Sequence, residues 1–418
     1  MRMSRNSDTI AAIDLGTHRC CCVVAEIVGP DRLDVIGIGT SHTDGIRKGV
    51  IVNLEALVGS IRRAVEQAEA MASRRIEAAV ATVPALRLRS FTSRGVVTIS
   101  GHDRIVSPKD LRRVLDTVRA VQIPAGQEIL HVLPQEYTLD DQEGIQDPIG
   151  MTGSRLEASA QVVTIPTQVA QHAVSALNRA RIEAISLVAP QLAAAEAALT
   201  REEREQGVFL VDCGGGTTDI ALYERGALWF TGSVPVAGEL ITNDISIGLR
   251  TPVPEAEQLK RSHASTIPAD DDVPIEVPAV GGAPPRVIAA SLLSQIVTPR
   301  VEEIFELSRS LIDRFGLGHR ARAGAVLVGG TANLDGALET AEGKLGMPVR
   351  LGVPMGLGGL TEDIKAPSFA TPVGACLWEL REGRKQRAWE MGASAPLKVM
   401  GGLWRGLSRA TSWFGQMF

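Results

Sequence analysis

Net positive charge is absent from this sequence. Its 48 acidic residues outnumber 43 basic ones, for a formal charge of −5 and a pI near 5.9. Nucleic-acid binding usually leaves a basic footprint, so that class is disfavoured, and no nucleic-acid partner is expected. Long apolar runs are missing too. No stretch reaches the length needed to span a bilayer as a helix. The opening residues, MRMSRNSDTI, are polar and lack the apolar centre of a secretion signal. Cysteine is sparse: Cys20, Cys21, Cys22, Cys213 and Cys376, none in the CxxC spacing of a zinc or redox motif. Three in a row on a strand alternate faces and read as small core hydrophobes. A reducing cytoplasm is the expected compartment. What remains, 44% hydrophobic and 22% charged residues, is ordinary globular composition. The length, 418 residues, predicts roughly two to four domains.

The most informative stretch is Val211-Asp212-Cys213-Gly214-Gly215-Gly216-Thr217-Thr218-Asp219-Ile220. An apolar strand runs into an acid, three glycines, two hydroxyls and a second acid. Glycines let the backbone turn sharply and bring bare N–H groups against an anion. Thr217 and Thr218 add hydroxyl donors. An acid beside a phosphate points to a hydrated Mg²⁺ held between them, here by Asp212 through water. A weaker copy lies at residues 11–27, AAIDLGTHRCCCVVAEI, where Asp14, Gly16 and Thr17 match Asp212, Gly214 and a following threonine. Each copy continues into an apolar strand, a turn and another strand. Two such turns predict a duplicated domain with phosphates clamped between the halves, Asp14 taking the same water-mediated metal role.

Elsewhere the pattern is α/β. Asn53 caps a helix to about Ser73, with Leu54, Leu57, Ile61, Val65, Ala68 and Met71 on one face. Residues 88–163 change character. A strand at Arg94–Ser100 precedes a helix that starts at Ser107-Pro108 and runs to about Val121; strands near Glu128–Leu139 and Leu156–Thr164 follow. This is a β-α-β-β unit inserted in the first half. Residues 240–315 hold two or three helices around a Pro-rich stretch, 262–287, read as loop or short strand. The strand Ala325–Val328 then runs into Gly329-Gly330-Thr331 and a helix, a resting place for a base or ribose.

Residues 379–396 turn charged and then small, a linker, and 397–418 follow. On a helical wheel Leu397, Met400, Leu403, Trp404, Leu407, Ala410, Phe414, Met417 and Phe418 share one face, and Lys398, Arg405 and Arg409 the other. Few aromatics exist in the chain, yet Trp404, Trp413, Phe414 and Phe418 crowd this tail, and no acid follows Glu390. Such a helix either packs on the protein's own core or lies in a membrane interface. The all-cationic polar face and the tether favour the membrane. Each cation contributes about 1 kcal/mol near anionic lipid, and Gly401 and Gly402 cost about 1 kcal/mol each in helix stability.

The order of these parts resembles the actin/Hsp70/sugar-kinase ATPase superfamily, and more closely the FtsA family of bacterial cell-division proteins. GIRKGVIVNLEALVGSIRRAVEQAE (45–69), EILHVLPQEYTLDDQEGIQDPIGMTGSRLEA (128–158), ITNDISIGLRTP (241–252), VLVGGTANLDGALETAEGKLGMPVRLG (326–352) and the terminal helix carry the likeness. The resemblance implies an α/β, bilobed actin-like (ribonuclease-H-like) fold with the inserted subdomain and a C-terminal amphipathic helix. It implies ATP and Mg²⁺ in the cleft and, at most, a weak ATPase. Subdomain 1A would take 1–87, 164–206 and 361–386; the inserted 1C, 88–163; 2A, 207–242 and 306–360; and 2B, 243–305. A linker at 387–396 and the membrane helix at 397–418 would follow. Asp14, Gly16, Thr17 and His18 match the family's first phosphate loop, and Asp212, Gly214, Gly215, Gly216, Thr217 and Thr218 the second. Gly238, Asn243 and Lys260 fall where the family approaches ribose and base; Gly329, Gly330, Thr331 and Asn333 match its adenosine turn. At PVAGELITND the chain departs from many relatives, which carry a second glycine, an acid and a histidine. The implied partners are the C-terminal peptide of the tubulin-like FtsZ at 2B, further copies of the chain in a filament, later division proteins, and inner-membrane lipids. The lipid contacts would be Leu403, Trp404, Arg405, Leu407, Arg409, Trp413, Phe414 and Phe418, on the cytoplasmic face at the division site.

Two alternatives share the fold: a PilM-like pilus-assembly protein, which generally lacks this kind of tail, and a small-molecule kinase. A kinase needs a positioned base. The nearest guesses, Glu136 and Asp219, read better as structural or metal-related residues.

Overall fold

A computed structural model describes residues 9–383, except 102, 268–272 and 283. The expected linker at 387–396 and membrane helix at 397–418 lie outside the described residues. The chain opens with an antiparallel meander of β1 (Thr9–Leu15), β2 (Arg19–Gly29) and β3 (Arg32–His42). A short hairpin of β4 (Ile46–Arg47) and β5 (Val50–Ile51), helix α1 (Leu54–Ala72) and β6 (Ala78–Thr82) follow. The inserted unit is β7 (Arg89–Thr98), α2 (Pro108–Arg119), β8 (Gln127–Leu139), β9 (Gln142–Ile145) and β10 (Arg155–Pro166). The first lobe resumes with α3 (Thr167–Arg179), β11 (Glu183–Val188), α4 (Pro190–Ala198) and α5 (Arg201–Gln206). The second lobe holds β12 (Val208–Cys213), β13 (Thr218–Glu224), β14 (Ala227–Val234), α6 (Gly238–Gly248), α7 (Val253–His263), β15 (Pro274–Val277), β16 (Arg286–Ala289), α8 (Ala290–Arg314), β17 (Ala325–Val328), α9 (Ala337–Leu345) and β18 (Val349–Leu351). Then β19 (Leu357–Gly359), α10 (Thr361–Ile364) and α11 (Ala370–Trp378) return the chain to the first lobe, where β19 pairs parallel with β3.

The two lobes carry like sheets, the first with β19 added at its edge. The first runs β11-β6-β1-β2-β3-β19 and the second β18-β17-β12-β13-β14. In each, an antiparallel meander meets a parallel strand beside its first member: β6 against β1, β17 against β12. Asp14 and Asp212 occupy the same place, one residue before the end of β1 and β12. Their cross-strand partners differ: Cys21 faces Asp14, whereas Asp219 faces Asp212. Cys20, Cys21 and Cys22 are fully buried, and burial raises all three thiol pKa values.

Local sequence explains the elements around this frame. Asn53 Oδ1 accepts from Ala56 N at 3.1 Å and opens α1, whose buried stripe is Leu57, Val58, Ile61, Ala64, Val65 and Ala68. Ser73, in the left-handed region at φ 50°, ends it. A capping box of Ser107 and Asp110 starts α2. Asp110 is buried, which would raise its pKa, but hydrogen bonds from Ser107 and Ser100 hold it well below the usual carboxylate range. The inserted unit has a core of its own around Val114, Leu115, Leu156 and Val162. Its sheet, β7-β10-β8-β9, has one short strand more than the sequence pattern predicts, because DDQEGI turns back on β8. The Pro-rich stretch yields the β15–β16 hairpin.

Helices α4 and α11 pack through small residues at the junction of the lobes. A Cβ at Gly374 would fall 1.8 Å from Ala193 O, so the backbones nearly touch. Every residue of α11 is buried. The linker assigned from residue 379 begins too early: Glu379–Gly383 continue α11 as a π turn with Glu379 and Leu380 buried.

Candidate functional site

The turns after β1 and β12 meet at the wall of one cleft of about 530 Å³. Asp14, Gly16, Thr17 and His18 line it from the first lobe, and Asp212, Gly214, Gly215, Gly216 and Thr217 from the second. The remaining wall comes from Gly238, Lys260, Gly329, Gly330, Thr331 and Asn333. Segments almost 200 residues apart in the chain thus converge because each ends the same strand of a like sheet. The turns need glycine for contact with each other: a Cβ at Gly216 would stand 2.5 Å from Thr17 Oγ1, and one at Gly215 2.9 Å from His18 Cβ.

Two predicted residues are not part of the cleft lining. The Thr218 hydroxyl, fully buried, donates to Val236 O at 2.8 Å and is not part of the cleft lining. Asn243 lies on α6 but also outside the lining. Its neighbour Thr242, also outside the lining, is the buried position and donates to Glu257 Oε2 at 2.6 Å; the next residue is turned about 100° around the helix.

Threonines supplied by other elements hold the two acids. Thr82, at the end of β6, donates to Asp14 Oδ1 at 2.6 Å and accepts from Leu15 N. Thr371, at the start of α11, donates to Asp212 Oδ2 at 2.7 Å. Burial raises the pKa of Asp14, opposed by the Thr82 hydrogen bond and Arg19. Burial also pushes Asp212 up to about 6, opposed by Thr371 and helped by the Asp14 charge. Asp219, which also lines the cleft, rises to about 7, chiefly through burial, with Ser233 opposing and the Asp212 charge adding. Its Oδ2 accepts from Thr217 at 3.1 Å. The site therefore holds three carboxylates whose charges oppose one another, a place that favours a cation.

On the opposite wall Lys260 Nζ is held by Glu257 Oε2 at 2.6 Å, Thr242 Oγ1 at 2.8 Å and Gly238 O at 3.1 Å. Burial would raise the Glu257 pKa, but Lys260 beside it brings a net fall. Glu257 Oε1 also lies 3.6 Å from His18 Nε2, so this contact crosses the cleft. The His18 pKa is lowered, first by burial and then by Lys260 and His42, with Glu257 opposing. Arg19 reaches back to Ser368 O at 2.5 Å and stacks over Phe369. Sequence reasoning missed Arg19, Thr82, Glu257, Ser368 and Thr371. Glu257 carried a usable signal, three residues before Lys260 on a helix; Thr82 and Thr371 carried none, because their partners are remote in sequence. Glu136, weighed as a base, lies outside the cleft lining and faces Arg225 at 3.8 Å.

The chain matches known proteins at both levels. The profile described as "Cell division protein FtsA" matches residues 209–374, and that described as "SHS2 domain inserted in FTSA" matches residues 86–164. The cell division protein FtsA of Pseudomonas aeruginosa is 42% identical over 384 residues, covering 91% of this chain and 92% of that protein. Among solved structures, the PilM-PilN type IV pilus biogenesis complex superposes with a TM-score of 0.63 at 15% identity, covering 90% of this chain and all of that one. MreB5 of Spiroplasma citri, solved with ADP and with AMPPNP, gives 0.55 at 14%, covering 93% of this chain and all of that one. At those identities the structural likeness establishes the actin-like fold alone. The sequence likeness, held across nine-tenths of both chains, establishes kinship, and the chain belongs to the FtsA family of bacterial cell-division proteins.

Proposed function

We propose that the cleft binds ATP with Mg²⁺ and that the nucleotide-bound protein assembles with its own copies on the cytoplasmic face of the inner membrane. There it tethers the FtsZ ring through the 2B region and recruits later division proteins. One observation carries the nucleotide reading: Asp14 and Asp212, from matching places in two like sheets, face one cleft between glycine turns. The bare N–H groups of those turns suit phosphates. A hydrated Mg²⁺ fits the acids, since Thr82 and Thr371 occupy one oxygen of each and leave the other for water. Gly238, Lys260 and the 329–333 turn are the ribose and base side. MreB5, of the same fold, was solved with ADP and AMPPNP.

Hydrolysis is slow in this reading, because Asp219, the cleft acid weighed as a base, is tied to Thr217. Membrane attachment rests on the sequence of residues 397–418; among the described residues no helix is long and apolar enough to cross a membrane. A single such helix binds reversibly, and many in a polymer bind almost permanently. Co-sedimentation with anionic vesicles and Mg-ATP tests the tether: the full chain should pellet and a form lacking 397–418 should stay in solution. Equal pelleting removes the tether, and failure of the full chain to bind millimolar Mg-ATP removes the nucleotide.

A further inference from the structure

We infer that the three-residue segment Ala189-Pro190-Gln191 couples the cleft to the inserted subdomain, so that strands β7 and β8 sense whether nucleotide is bound; this rests on the nucleotide reading above. The segment stands at the start of α4, and each of its residues faces a different body. Pro190 is part of the cleft wall. Ala189 N donates to His131 Nε2 at 3.2 Å, and His131 belongs to β8 of the inserted unit. That imidazole is buried and meets the Trp378 ring of α11 edge-on at 5.1 Å. It is thus wedged between the two helices that join the lobes. Gln191, fully buried, donates its amide to the Thr231 hydroxyl on β14 of the second lobe.

Thr231 closes the circuit. Its backbone N–H donates to Ser90 Oγ at 3.2 Å, and Ser90 Oγ is set to donate to Thr231 O at 3.1 Å. Ser90 is on β7 of the inserted unit. Close by, Gln135 of β8 donates to Leu228 O of β14 at 2.9 Å and to Gln161 Oε1 of β10 at 3.2 Å. The inserted unit therefore holds the second lobe by hydrogen bonds through β7 and β8, and the α4 start through His131. β14 in turn pairs with β13, which begins at Thr218 of the second glycine turn; Thr218 and Val234 are partners. The cleft and the inserted unit share these two routes, one through α4 and one through β14.

The chemistry of the junction suits a part that shifts. Buried hydrogen bonds have strict lengths and angles, so a rotation of β14 against α4 cannot be absorbed gradually. The bonds hold, and the inserted sheet follows, or they break and exchange partners. An apolar junction of the same size would slide with less directional preference.

Hydrogen exchange of the full chain, with and without Mg-ATP, tests this. Mg-ATP should change exchange in β7 and β8 of the wild type. Ser90→Ala with Thr231→Val removes both hydroxyls with little change of shape. This variant should bind Mg-ATP within about threefold of wild type while its β7 and β8 response falls at least about fivefold, the range of an ordinary coupling between sites. His131→Phe, which keeps a ring against Trp378 and removes the acceptor, should weaken the β8 response in the same way. If it does not fold, the hydroxyl pair alone decides. Wild type that binds Mg-ATP with no change in β7 and β8, or a double variant with the full response, overturns the coupling and leaves the nucleotide site standing. No Mg-ATP binding by the wild type overturns the nucleotide reading and this inference with it.

Discussion

At the scale of single residues, the cleft is set by carboxylates kept away from water. Asp219 is raised from 3.8 to about 7 and Asp212 from 3.8 to about 6. The folded protein keeps these protons at pH values where the unfolded chain has already lost them. As pH rises from about 4 to about 7 the nucleotide-free protein therefore loses stability, and the loss persists above 7. Asp219→Asn removes the larger part of that penalty. It should raise stability at pH 8 by about 2 kcal/mol and flatten the dependence of Tm on pH; an unchanged pH profile would show that folding does not raise the Asp219 pKa. The two acids were legible in the sequence because each ends an apolar strand and precedes glycine. Their threonine partners were not: Thr82 and Thr371 lie 68 and 159 residues from the acids they hold, and a hydroxyl has no spacing rule of its own.

At the scale of elements, the tightest contact is between α4 and α11. Gly374 meets the Ala193 carbonyl so closely that any side chain must push the helices apart. Gly374→Val should cost at least about 3 kcal/mol in urea unfolding, or leave the chain unfolded, as expected of overpacking against backbone that cannot yield. Gly343→Ala, whose Cβ meets nothing, is the control and should cost little. The capped helices were easy to read, since Asn53 and the Ser107–Asp110 box announce their starts. The inward side of α6 was not. Asn243 and Thr242 are adjacent, and only the packing of α7 against α6 selects Thr242. The four-residue β9 was hidden for a similar reason: its pairing with β8 exists only once the hairpin has folded.

At the scale of the whole molecule, duplication explains both the fold and the cleft. Sheets of the same order bring like turns face to face, and each lobe contributes one acid. Neither acid alone makes the site, so Asp14→Ala and Asp212→Ala should each weaken Mg-ATP binding at least tenfold, about 1.4 kcal/mol, in equilibrium titration. Binding unchanged in either variant would show that the lobes do not share one ion. The repeat was visible in the sequence as two turns; the shared strand order, which needs pairings across some 120 residues for β12 and β17, was not.

The described chain both starts and stops in the first lobe. β1 sits at the centre of that lobe's sheet, and the π turn after α11 keeps Glu379 hydrogen-bonded to Ser186 of β11. The last described residue, Gly383, therefore belongs to one half of the molecule. Relative to that half, the half bearing β12–β18 is the arm that closing the cleft would swing.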